Sequence, residues 1–240
     1  MKLIFYILFL YILPAQKPLT VAVSANMKYT FDSLKVVFEK DHHIPLTAVV
    51  GASGTLTTQI RNGAPYDLFL SADMDYPNAL YKDSLTIGKP IVYAYGTLII
   101  WSTKNTYSSI SQMNDSKTVA IANPKIAPYG KEADKVLRKY NYSSKGSIVF
   151  GQNIGQVNTY IITHSVDAGI TSKSVVKTPE YKSVGSWIDV PENDYTPIEQ
   201  GMVLLKRSDQ MKDMIKFRSF ITSKKAQDIL HAFGYKQKGN

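Results

Sequence analysis

The chain contains no cysteine. That removes a disulfide framework, a thiolate metal site and a cysteine nucleophile together, and with them lipidation at a cysteine behind an export signal. Histidine is scarce, with four in 240 residues, and the adjacent pair His42-His43 falls at the expected end of a helix. Sequence neighbours on a helix point in different directions, so that pair does not read as a metal site. No nucleophile and base are recognisably paired around His42, His43, His164 or His231, which argues against an enzyme. Charge of one sign is not clustered either. The formal net charge of +9 comes from lysines spread along the chain, with no block of five like charges. They read as a solvated surface that can speed encounter with an anion, and nucleic acid is not an expected partner.

A hydrophobic content of 44% is enough for one large core or two modest ones. At the N-terminus Lys2 precedes an apolar run from Leu3 to Leu13, then Pro14-Ala15. The run is short for a membrane span and suits a secretory signal, so residues 1–15 are expected to be removed near Ala15. An uncleaved anchor is the alternative. With no lipid and no second apolar segment, the mature chain is expected to be soluble and periplasmic.

Leu19 to Val23 reads as a buried strand and Ser24-Ala25-Asn26 as the turn into a helix. Met27, Phe31, Leu34 and Phe38 form that helix's apolar stripe, with Asn26 as its N-cap. Leu46 to Val50 is the next strand, and a right-handed crossover places both strand-to-helix turns on one sheet edge, where ligands bind. A third strand covers Leu68 to Leu70, and a helix opens at Tyr76-Pro77. Pro90 to Trp101 is the longest extended run and suits a passage between lobes. Alternation then repeats: strands at Val119–Ala122, Ile148–Phe150 and Ala168–Thr171, helices at Gly130–Tyr140 and from Ile154 to about His164. Pro197 to Lys206 returns, and two further helices finish the chain. Residues 16–95 with 200–240 therefore form an expected first lobe and residues 96–199 a second, joined by two crossing segments and hence hinged.

The most informative stretch runs from Val49 to Asp73. Two apolar residues end a strand, Gly51-Ala52-Ser53-Gly54-Thr55 makes a small-residue turn, and Ser53 stands as the expected N-cap of a helix carrying Leu56 and Ile60. Asn62-Gly63 closes the helix and Pro65 prevents its continuation. With no bulky side chain over the turn, backbone N–H groups and one hydroxyl are left to seat an anion. A plain capped helix is the competing reading. Asp67 and Asp73 flank the next strand and are expected to cap turns, since a bare carboxylate facing an anion would repel it.

The runs GASGTLTTQI and GAPYDLFLSAD resemble the periplasmic molybdate-binding protein family, the substrate-binding component of molybdate ABC transporters. The resemblance implies a two-lobed α/β fold of the type II periplasmic binding protein class, each lobe a mostly parallel sheet flanked by helices. It implies a tetrahedral oxyanion, molybdate or tungstate, held in the cleft by neutral donors and passed to an inner-membrane ABC permease. No cofactor and no direct protein ligand to the metal are implied, and the chain is expected to be a monomer. Matched by motif, Ser53 falls on the family's ligand-binding serine. Asn26 takes a strand-to-helix position where many members carry Ser. Tyr129, in the turn from Pro124 to Gly130, falls on a ligand position, and Ile154 on one that offers its backbone N–H. Many members place a ligand-binding Tyr where this chain has Ser172, and Tyr129 is expected to supply the phenol instead. A sulfate carrier, a sensing domain and an enzyme of the same fold are the other readings.

Overall fold

The computed structural model describes residues 16–142 and 146–237. The expected export signal lies outside the described residues. In chain order the first part comprises β1 (Leu19–Ser24), a 3₁₀ turn (Ala25–Met27), α1 (Lys28–His42), β2 (Leu46–Gly51), α2 (Ser53–Arg61), β3 (Leu68–Ser71), α3 (Asp75–Lys82) and β4 (Thr86–Gly96). The second comprises β5 (Leu98–Ser102), β6 (Thr118–Ala122), α4 (Pro128–Lys139), β7 (Ser147–Gly151), α5 (Ile154–Ile162), β8 (Ala168–Ser172) and β9 (Ser186–Asp189). The chain closes with β10 (Ile198–Leu205), α6 (Met211–Ile221) and α7 (Lys224–Ala232).

Two five-stranded sheets result, ordered β2-β1-β3-β10-β4 and β7-β6-β8-β5-β9. In each, the three strands joined through helices are parallel, and the fourth strand, β10 or β5, runs antiparallel to both of its neighbours. The two sheets share one plan, as the repeated alternation implied, and each is the centre of one of the two expected lobes. The long run from Pro90 to Trp101 is divided: β4 ends at Gly96 in the first sheet, and β5 begins at Leu98 in the second. Strand β9, short and half-exposed, has no apolar run to announce it and was not legible in the sequence.

Alternation along β1 explains the first lobe's layering. Leu19, Val21 and Val23 face a core shared with Phe31, Leu34, Phe38, Phe217 and Leu230 from α1, α6 and α7. Ala22 faces the other side, with Leu56 and Ile60 of α2, Phe69 and Leu80. The second lobe has its own core around Trp101, Ile121, Val136, Leu137, Val157 and Ile170. Each lobe thus buries both faces of its sheet, and its strand ends are held rigidly toward the other lobe.

Candidate functional site

Five turns meet between the lobes, following β1, β2, β3, β6 and β7, each at the carboxyl end of a parallel strand. They enclose a cavity lined by Ser24, Asn26, Ser53 and Ala72 from the first lobe and Tyr129, Asn153 and Ile154 from the second. All four residues singled out by sequence, Asn26, Ser53, Tyr129 and Ile154, are therefore at one cavity. No charged side chain lines it. The free space at its centre is about 10 Å³, room for about one water, between lobes that stand closed. Bonds across the cleft hold them: the Gly54 N–H donates to Ile126 O at 2.9 Å and Ser174 Oγ to Asn26 O at 2.7 Å, and Lys131 pairs with Asp75 at 3.2 Å.

Ser53 is not the N-cap expected of it. Ala52 holds that position in extended conformation, and Ser53 is the first residue of α2, with no capping bond from its side chain. Its Oγ instead accepts the Ala72 N–H at 3.0 Å. The hydroxyl proton is then left to donate into the cavity, beside a helix-start N–H that has no intrahelical acceptor.

Asn26 is likewise not a cap. The 3₁₀ turn runs into α1 without a side-chain cap, because the Asn26 amide is drawn inward. Its Nδ2 donates to Gln200 Oε1 at 2.8 Å and to Tyr235 Oη at 3.0 Å, and the residue is buried.

Tyr129 was expected in a turn ahead of a helix starting at Gly130. The helix α4 starts earlier, at Pro128, whose fixed φ suits a first helical position. Tyr129 therefore offers a helix-start N–H as well as a phenol. The phenol is buried without a hydrogen-bond partner among the described residues. Burial, and then the neighbouring Tyr235, Tyr195 and Tyr93, push its pKa well above the ordinary value, so it stays a neutral donor.

Ile154 opens α5. Asn153 caps that helix by accepting the Gln156 N–H at 3.1 Å, which leaves the Ile154 N–H without an intrahelical acceptor. The Ile154 side chain belongs to the second-lobe core.

One residue was missed. The Ser24 hydroxyl lies on the cavity, buried and without a partner among the described residues. The available signal was a small hydroxyl residue at the carboxyl end of a parallel strand, next to Asn26. Ser172 is buried and meets Ser174 Oγ at 2.8 Å. The flanking acids tie turns together. Asp67 accepts from the Thr20 N–H at 2.7 Å and Ser208 Oγ at 2.5 Å, and Asp73 from the Tyr76 N–H at 3.2 Å and Ser71 Oγ at 3.1 Å. Burial pushes Asp73 up to about 6, against the stabilising Tyr76 N–H.

Two like lobes, two crossovers and an uncharged cavity between them define a solute-binding protein of transport. The model of the bacterial extracellular solute-binding protein family matches residues 19–236, and the chain belongs to that family, whose members bind substrates for transport and are not enzymes. It is 33% identical over 222 residues to the molybdate-binding protein ModA of Azotobacter vinelandii, covering 90% of this chain and 88% of that one. With the ModA of Rhodobacter capsulatus it shares 31% over 220 residues, 89% and 86% of the two chains. The solved structure of the Azotobacter vinelandii periplasmic molybdate-binding protein matches with a TM-score of 0.84 at 30% identity, over 91% of this chain and 99% of that one.

Proposed function

We propose that the protein binds molybdate or tungstate between lobes formed by residues 16–95 with 200–240 and by residues 96–199. It carries the ion through the periplasm as a monomer, without a cofactor, to an inner-membrane ABC permease. The observation that carries this reading is the charge-free cavity onto which hydroxyls and helix starts of both lobes converge. The donors are the hydroxyls of Ser24 and Ser53, the N–H groups at the starts of α2, α4 and α5, the Tyr129 phenol, and Asn26, whose side-chain amide is held by Gln200 and Tyr235 and whose backbone N–H stands at the start of the 3₁₀ turn.

A dianion needs no counter-charge in such a place, because oriented N–H groups and helix dipoles are arranged before it arrives. Each charge-assisted bond is worth about 1.5–3 kcal/mol net. Around six of them, less the costs of immobilisation and closure, reach the roughly −12 kcal/mol of a nanomolar ligand. The backbone N–H donors also disfavour an oxyanion that still carries a proton, because its O–H would face groups that cannot accept it. Because donors come from both lobes, the ion completes its coordination only when the lobes close.

Calorimetry with molybdate, tungstate and sulfate tests the reading. Tight binding of the first two and sulfate weaker by at least about a hundredfold is the expected result. Equal affinity for sulfate would overturn the assignment to a metal oxyanion.

A further inference from the structure

Gln200 lies wholly buried on β10, in the strand by which the chain returns from the second lobe. The pairing of β10 with β4 shifts register between Gln200 and Gly201. A side chain here would ordinarily pack apolar against the sheet, yet this one is an amide with both ends engaged. Its Oε1 accepts from Asn26 Nδ2 at 2.8 Å, while its Nε2 donates to Ile198 O at 3.1 Å and approaches Ala72 O at 3.5 Å. Ala72 is the residue whose N–H holds Ser53 Oγ. On the other crossover, a Cβ built on Gly96 would lie 2.9 Å from Gln200 Nε2. Tyr235, from the segment after α7, completes the arrangement: its hydroxyl accepts from Asn26 Nδ2 and donates to Asn26 O, both at 3.0 Å.

We infer that Gln200 is a positioning residue for the oxyanion site, fixing Asn26 in register with Ser53 and referring both to the crossover strands about which the lobes close, with Tyr235 as the second support of Asn26. A buried primary amide that satisfies an acceptor on the hinge strand and a donor on the site holds one orientation, because turning it over would set carbonyl against carbonyl at Ile198 and amide against amide at Asn26. Its contribution to binding therefore passes through Asn26. The inference rests on the oxyanion reading of the cavity.

The experiment is a double-mutant cycle on molybdate affinity in the full mature chain, with thermal stability measured alongside. Gln200→Met keeps the length and removes both polar ends. It is expected to weaken molybdate at least about tenfold, and to have an effect below about twofold when Asn26 is already Ala, as positioning through Asn26 requires. Tyr235→Phe removes one hydroxyl with little change of shape and is expected to show the same loss of effect in the Asn26→Ala background, which keeps the test open if the Gln200 variant does not fold. A purely structural role would lower the melting temperature and leave molybdate affinity unmoved, or weaken it equally in both backgrounds. Either result overturns the inference. Failure of the unaltered protein to bind molybdate would instead overturn the proposed function.

Discussion

The phenol of Tyr129 occupies the space above Gly96. A Cβ built on Gly96 would overlap the phenol oxygen and lie 2.8 Å from the ring carbon that bears it. A second-lobe side chain thus closes onto the strand end at which the chain leaves the first lobe, and glycine at 96 is what lets it arrive. Gly96→Ala is expected to hold the lobes apart, because its methyl group would overlap the phenol and crowd the Gln200 amide as well. Molybdate affinity should fall by at least about tenfold, and X-ray scattering should show a less closed molecule under saturating ligand. Adding Tyr129→Phe removes the overlapping oxygen and should recover part of the closure. Unchanged affinity in Gly96→Ala would mean that the phenol moves freely.

Tyr129→Phe alone separates two costs. A buried hydroxyl without a partner costs about 1–3 kcal/mol, so the ligand-free variant is expected to be as stable as the parent or more stable. Its affinity for molybdate should nonetheless fall, by about 1.5–3 kcal/mol if the phenol donates to the ion. Thermal melts with and without molybdate check both halves at once. A smaller ligand-induced rise from a higher starting point is the expected pattern. An unchanged rise would leave the ion to the helix-start N–H of Tyr129.

Ser24 and Ser53 should respond differently to removal of the hydroxyl. Ser53 Oγ already accepts the Ala72 N–H, so Ser53→Ala orphans a buried backbone donor as well as losing a bond to the ion. Ser24 Oγ has no partner to orphan among the described residues. Both changes are expected to weaken molybdate binding by about 1.5–3 kcal/mol, but only Ser53→Ala should also destabilise the ligand-free protein, by about 1–3 kcal/mol. Calorimetry and urea denaturation read the two effects. Equal destabilisation by both would show that Ser24 has a structural partner.

The architecture was legible because it rests on local signals repeated twice: apolar strand, small-residue turn, amphipathic helix. Asn26, Ser53, Tyr129 and Ile154 were singled out through the family resemblance and not by their local pattern, which reads equally well as plain strand-to-helix turns; the structure brings all four to one cavity. What the sequence did not carry was the direction of their side chains. Ser53 and Asn26 have strong capping propensity, and local chemistry alone assigns them to caps. The structure spends both on partners far along the chain, Ala72, Gln200 and Tyr235. Contacts of that separation have no spacing rule to reveal them. Ser24 escaped because its value lies in an unmade bond, which no pattern of residues displays.

Asp73 makes stability depend on pH in an unusual direction. Burial raises its pKa from 3.8 to about 6 in the folded chain, so the folded state holds this proton more tightly than the unfolded one. Its favourable contribution is complete below about pH 4 and is lost as pH rises to about 6. Above that, the buried carboxylate costs up to about 3 kcal/mol, taking about 1.4 kcal/mol per pKa unit. Asp73→Asn keeps an oxygen to accept from Ser71 and the Tyr76 N–H. The variant is expected to be more stable than the parent by about 1–3 kcal/mol near pH 7.5, with the difference shrinking toward zero near pH 4. Because residue 73 follows Ala72 of the cavity wall, removing its negative charge should also tighten molybdate binding near pH 7.5 and not near pH 5, where the parent is largely neutral. Urea denaturation of both proteins across that range, with calorimetry at its ends, measures these effects. A stability difference that stays constant with pH would place the carboxyl in solvent, and the buried-acid account of this turn would be withdrawn.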